Sequence, residues 1–150
     1  MTEYTAVIEW QGEGAFLADR YSRGHIWHFD GGAVVPASSS PHVVPLPMSD
    51  PAGVDPEEAL VASASSCHML WFLHLAREAG FEVVRYRDEA VGRMGKDDRG
   101  RMAIIRIALR PEIIFAGAAP EAEALARLHH DAHNRCFIAN SLRGEVVVEG

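Results

Sequence analysis

The stretch from Asp55 to Gly80 constrains this chain more than any other. Asp55-Pro56-Glu57-Glu58 sets a capping aspartate before a proline, whose missing N–H is no loss at the first helical position, and places an acid three residues after the cap. The spacing predicts a helix through ALVASASSCHMLWFLHLARE that stops at Gly80, where a left-handed residue is needed. Apolar side chains cover most of its circumference, so other structure must enclose it. Ser63, Ser65, Ser66, His68 and His74 interrupt the apolar run, and Arg77 and Glu78 close it, which favours a buried helix over a membrane span. In a chain of 150 residues and 16.4 kDa, one sheet covers only one side of such a helix. The expectation is a homodimer whose subunits share a core.

The other elements follow from local pattern. Tyr4 to Trp10, and Gly24 to Phe29 ahead of the Asp30-Gly31-Gly32 turn, read as an N-terminal β-meander. Val35 to Val54 carries five prolines and three consecutive serines and is expected to be a long ordered loop. Phe81 to Met94 and Arg101 to Leu109 are strand-like runs flanking a polar turn, Gly95 to Gly100, and should form a hairpin. Pro120 opens a second helical run that places Leu125, Leu128, Ala132 and Cys136 at helical spacing, and Glu145 to Val148 is a closing strand. Helices are too few and too unevenly placed for a doubly wound sheet, so the expected class is α+β in a single domain, residues 1–150.

Composition removes several function classes. Fourteen basic against twenty-one acidic residues give a net charge of −7, which repels a phosphate backbone, so no nucleic-acid partner is expected. The N-terminus has no basic head followed by an apolar stretch, and a cytoplasmic location is expected. Two cysteines, Cys67 and Cys136, are too far apart for a CxxC loop.

Those cysteines are the chemical question. On one reading both are small core hydrophobes. On the other they are a peroxidatic and resolving pair, which requires a thiolate that burial alone disfavours. Bringing a thiol from about 8.5 to about 6 takes roughly 3.4 kcal/mol, and a helix dipole acts only within its first turn, three turns before Cys67. A guanidinium at about 4 Å supplies roughly 4 kcal/mol at an effective dielectric of about 20. An activated Cys67 therefore requires an arginine. His129, His130 and His133 with Cys136 offer ligand types at helical spacing, but no second cluster is spaced to close a metal site, and no metal or cofactor is expected. His68 points about 100° away from Cys67 on an ideal helix and reads as a core histidine. His133, one turn before Cys136, is placed to hydrogen-bond that thiol.

Asp55-Pro56-Glu57-Glu58-Ala59-Leu60, with Cys67 ten residues after Glu57, resembles the NPEELL…C segment of the OsmC/Ohr family of thiol-dependent organic hydroperoxide reductases. Ala132-His133-Asn134-Arg135-Cys136 is similar to that family's second cysteine motif, at matching separation, although Phe137 stands where the family commonly has proline. The resemblance implies an OsmC-like fold in an intertwined homodimer. It implies peroxide reduction through a Cys67 sulfenic acid and a Cys67–Cys136 disulfide, reopened by an external dithiol of lipoyl type. It also implies an arginine and a glutamate beside the thiol. Glu57 corresponds to the glutamate, and Arg23, with Arg20 as competitor, to the arginine. Ten helical residues separate Glu57 from Cys67 by about 15 Å, so Glu57 is expected to serve the neighbouring subunit's cysteine. The competing expectation is an OsmC-like small-molecule-binding or stress-associated dimer with inert thiols.

Overall fold

The computed structural model describes residues 1–150, which form two compact units, Met1–Ala59 and Leu60–Gly150. In the first, β1 (Val7–Glu9), β2 (His25–His28) and β3 (Val34–Ala37) make an antiparallel sheet in sequence order. The meander is as expected, with one correction: β3 runs three residues into the stretch read as loop. Val34 and Val35 pair with His28 and Trp27, and Pro36 is tolerated because β3 is an outer strand of this sheet. The remaining loop is ordered by its serines. Ser38 Oγ accepts from Asp50 N (3.0 Å), Ser49 Oγ donates to Val44 O (2.6 Å), and Ser38, Ser40 and Ser49 are all buried. Side-chain hydroxyls thus do pairing that the loop's four prolines deny the backbone.

α1 (Pro56–Glu78) starts with the expected reciprocal cap: Glu58 N donates to Asp55 Oδ1 (2.8 Å) and Asp55 N to Glu58 Oε1 (2.9 Å). It ends as expected too. Gly80, at φ +86°, donates to Arg77 O, and Phe81 N to Ala76 O, the paired bonds of a glycine-terminated helix.

In the second unit, Phe81 to Met94 is two strands rather than one, β4 (Glu82–Asp88) and β5 (Val91–Lys96). Asp88 makes the corner. Its carboxylate accepts from Arg110 N (2.6 Å) and from Ser65 Oγ (2.5 Å), which ends β4 and sends β5 into a different sheet. β5 forms the expected hairpin with β6 (Met102–Leu109), while β4 pairs with β7 (Pro111–Ala116), a strand the pattern reading did not find. α2 (Ala122–Arg135) begins after Glu121 rather than at Pro120, and a further short helix, α3 (Phe137–Ser141), follows Cys136. β8 (Glu145–Val148) closes the chain parallel to β6.

α1 is the spine of two cores. Phe72, Leu75 and Ala76 pack with Leu128 and Ala132 of α2 over the β4–β7 sheet. One half-helix earlier, Ala64 packs with Ile107, Leu109 and Val146, and Ile138, Ala139 and Leu142 close over them. Ala62, Ser66, Leu70 and His74, at four-residue spacing, form an exposed stripe on the same helix. By length and composition α1 also meets the criterion for a membrane-crossing helix, with a window of mean hydropathy 1.3.

Candidate active site

The C-terminal unit brings the two cysteines together. Cys67 sits on α1 between its buried face and its exposed stripe and is half-buried; Cys136 is buried, and the Cys67 thiol is near enough to bear on its ionisation. Both are free thiols.

The α2–α3 junction aims Cys136. The residue ends α2 and caps α3 in an extended conformation (φ −67°, ψ 109°), and its Sγ accepts from Ala139 N at 3.4 Å. Trp71, one turn after Cys67 on α1, holds both flanks of that junction. Its ring meets Phe137 edge-on at 5.6 Å, and the Arg135 guanidinium lies over it at 5.5 Å. Sequence reading did not single out Trp71 for this task, because a tryptophan in an apolar helix looks like any other core residue. Burial pushes the Cys136 thiol up, the Ala139 N–H opposes this, and the neighbouring Cys67 thiol adds to it. Cys136 is therefore held as a thiol beside the more accessible Cys67.

The other candidate residues stand as follows. Within the N-terminal unit, Arg23 is sheltered, its side chain 15% exposed, whereas Arg20 is exposed. The Arg23 guanidinium donates to Tyr21 O (2.7 Å) and to Asp19 Oδ1 (3.0 Å) and lies 3.5 Å from the Tyr21 ring centroid. Its backbone N donates to Met48 O in the proline-rich loop (2.8 Å). In the same unit Glu57 Oε2 is buried without a hydrogen-bond partner, so Arg23 and Glu57 are not paired within this chain. His133 meets Cys136 through its backbone carbonyl, which accepts from Cys136 N at 3.2 Å; its imidazole makes no bond to the thiol.

His68 faces away from the thiols, as its helical angle predicts, and is buried with Nε2 3.0 Å from His129 Nδ1. Burial lowers it to about 4, with His129 and His133 adding to the shift and Asp88 opposing. No three His, Cys, Asp or Glu side chains converge in a metal-binding arrangement.

Residues 49–149 match the family described as OsmC-like protein. Among solved structures, an OsmC-like protein of unknown function from Vibrio cholerae is 48% identical, with 99% of each chain covered and a TM-score of 0.96. Two more distant structures share the fold. One is a putative organic hydroperoxide resistance protein from Vibrio cholerae with captopril bound in one of its active sites (22% identity, 100% of this chain and 94% of that one, TM-score 0.68). The other is an organic hydroperoxide resistance protein OsmC from Legionella pneumophila (16%, 99% and 96%, TM-score 0.67). No curated protein matches. A family match over two thirds of the residues, and a 48% identical chain superposing along its whole length, agree with the capping motif and the cysteine pair: the chain belongs to the OsmC-like protein family.

Proposed function

We propose that this protein is a thiol-dependent peroxidase that reduces organic hydroperoxides to alcohols. The observation that carries the reading is the proximity of Cys67 and Cys136, 69 positions apart in sequence and neighbours in the fold. Exposure supports the division of labour: the half-buried Cys67 meets the substrate and the buried Cys136 resolves.

In the proposed cycle the Cys67 thiolate attacks the terminal peroxide oxygen, the O–O bond breaks, and the alkoxide takes a proton and leaves as the alcohol. Cys67 is then a sulfenic acid. The Cys136 sulfur attacks the Cys67 sulfur, hydroxide leaves and takes the thiol proton as water, and a disulfide forms. An external dithiol, of lipoyl type in the resemblance, returns two electrons and two protons by thiol–disulfide exchange. The net reaction converts ROOH and a dithiol into ROH, water and a disulfide.

Arg23 is assigned to stabilising the thiolate and polarising the peroxide, and Glu57, whose buried oxygen has no partner within the chain, to orienting an arginine. Both assignments call for residues 1–150 to act as one domain within an intertwined homodimer, in the cytoplasm, where reduced dithiols are available. The reading that competes, a small-molecule-binding or stress-associated dimer with inert thiols, is favoured by one observation: Arg23 is engaged by Asp19 and Tyr21.

Turnover of an alkyl hydroperoxide against hydrogen peroxide, with a dithiol supplied, separates the two. The peroxidase prefers the alkyl hydroperoxide, Cys67→Ser abolishes turnover, and Cys136→Ser accumulates sulfenic or overoxidised Cys67 by mass spectrometry. Two thiols that remain unmodified in excess alkyl hydroperoxide refute the peroxidase and favour the binding protein.

A further inference from the structure

The two helices that carry the thiols also share a buried polar pair. His68, one residue after Cys67 on α1, is 1% exposed, and its Nε2 lies 3.0 Å from Nδ1 of His129 on α2. The two rings stack, with centroids 5.3 Å apart and planes 10° from parallel, and Phe72 stacks on His129 at 4.5 Å. His68 Nδ1 has no partner, so the bond to His129 is the only one its ring makes.

The core around this pair is apolar, with Phe72, Leu75 and Ala76 packed against Leu128 and Ala132. Apolar burial is non-directional and tolerates small slips between helices. A buried hydrogen bond exists in one register only and leaves desolvated groups unpaired in any other. Cys136 follows His129 by seven residues, two turns that return it to nearly the same face of α2, about 10 Å farther along. A slip of one residue along the axis moves its sulfur by about 1.5 Å, which is large beside an S–S bond of about 2.05 Å. The register set at His129 is therefore carried along α2 to the thiol at its end.

We propose that His68 and His129 are positioning residues for the thiol pair: their hydrogen bond fixes the register of α2 against α1 and so presents Cys136 to Cys67 for disulfide closure. Neither imidazole bonds to a sulfur; both act through the helices that carry the thiols. The role rests on the resolving step of the proposed cycle, in which the Cys136 sulfur attacks the oxidised Cys67. Diamide forms the same bond by taking two electrons and two protons from the two thiols and leaving as the hydrazine, so alignment can be read without a peroxide.

Replacing both rings together separates register from stability. His68→Leu/His129→Leu should match the wild type in urea unfolding at pH 7, because two buried polar partners are exchanged at once for apolar ones. Its disulfide should nevertheless close about tenfold more slowly with diamide. In glutathione redox buffers, quenched by alkylation and read by mass spectrometry, its Cys67–Cys136 equilibrium constant should fall about tenfold, a potential about 30 mV less reducing. His129→Asn puts a hydrogen-bonding amide where Nδ1 stood and should hold both readouts within about threefold of the wild type. A double-leucine variant that closes at the wild-type rate, or a folded His129→Asn variant slowed about tenfold, overturns the proposal. If the variants respond in neither readout while the wild type reduces an alkyl hydroperoxide, the peroxidase stands and this role falls. A wild type that forms no Cys67–Cys136 disulfide under diamide overturns both.

Discussion

Cys136 does two structural jobs at once, and the geometry of the thiol pair depends on both. As the last cap of α2 and the first of α3 it takes an extended conformation, which turns its sulfur to α1 and keeps the side chain buried. Trp71 secures that turn from the opposite helix through Arg135 and Phe137. Trp71→Ala should therefore slow closure of the Cys67–Cys136 disulfide by about tenfold, the rate equivalent of about 1.4 kcal/mol of lost alignment. Diamide oxidation of the reduced protein, quenched with an alkylating agent and read by mass spectrometry, measures this without any peroxide; an unchanged rate removes Trp71 from that role.

His68 supplies a pH test at the same scale. Its folded-state pKa lies at about 4 against 6.5 unfolded, chiefly through burial, and burial lowers His129 as well. Between those two values the unfolded chain binds the extra proton, so stability rises with pH through this window and is lost as pH falls from about 6.5 toward 4. His68 alone accounts for a loss on the order of 3 kcal/mol, at about 1.4 kcal/mol per unit of pKa difference. Urea unfolding at pH 7, 5.5 and 4.5 should show the slope, and His68→Leu should flatten it. At this scale the sequence showed which residues carry reactive atoms. It did not show that His68 would meet His129, a contact 61 positions apart in the chain.

Among elements, those specified locally were legible and those specified by distant partners were not. The cap at Asp55, the stop at Gly80 and the β5–β6 hairpin each depend on a few neighbouring residues, and each stands where the pattern put it. β7 was missed because its identity comes from β4, which pairs Val83 with Phe115 and Tyr86 with Ile113 across more than twenty intervening residues. The split of β4 from β5 has a similar cause, since Asp88 ends the strand only by reaching Ser65 and Arg110. β8 lies close to β6 because of Gly144. A Cβ there would collide with the Ile104 carbonyl oxygen and crowd the Ile105 backbone, which is main chain and has little room to move. Gly144→Ala should cost about 1–3 kcal/mol of stability in denaturant unfolding, as overpacking does, whereas Gly100→Ala has open space and should show only the milder strain of its φ of +74°. Equal losses would show that the close approach of β8 to β6 can relax.

For the whole molecule, α1 sets the prediction. It packs one face into two cores and leaves Ala62, Ser66, Leu70 and His74 exposed, with Leu70 at 61%. If a second copy covers that face, sedimentation equilibrium should give roughly twice 16.4 kDa. Leu70→Lys should then shift the protein toward the monomer and lower turnover in proportion, because the proposed site draws Glu57 from the partner. A monomeric wild type with full peroxidase activity would separate the thiol chemistry from any dimer.

By itself the sequence determined the helix that organises the fold, its two ends, the hairpin, the closing strand and the two sulfur atoms, because each rests on periodicity or on contacts within one or two turns. Only the tertiary structure decided that Cys67 and Cys136 are neighbours, that Trp71 packs on both flanks of the junction at Cys136, that β4 belongs with β7, and that three histidines line one cleft. Those facts depend on which distant surfaces bury each other, and burial is a property of the assembled chain that no local pattern of residues encodes.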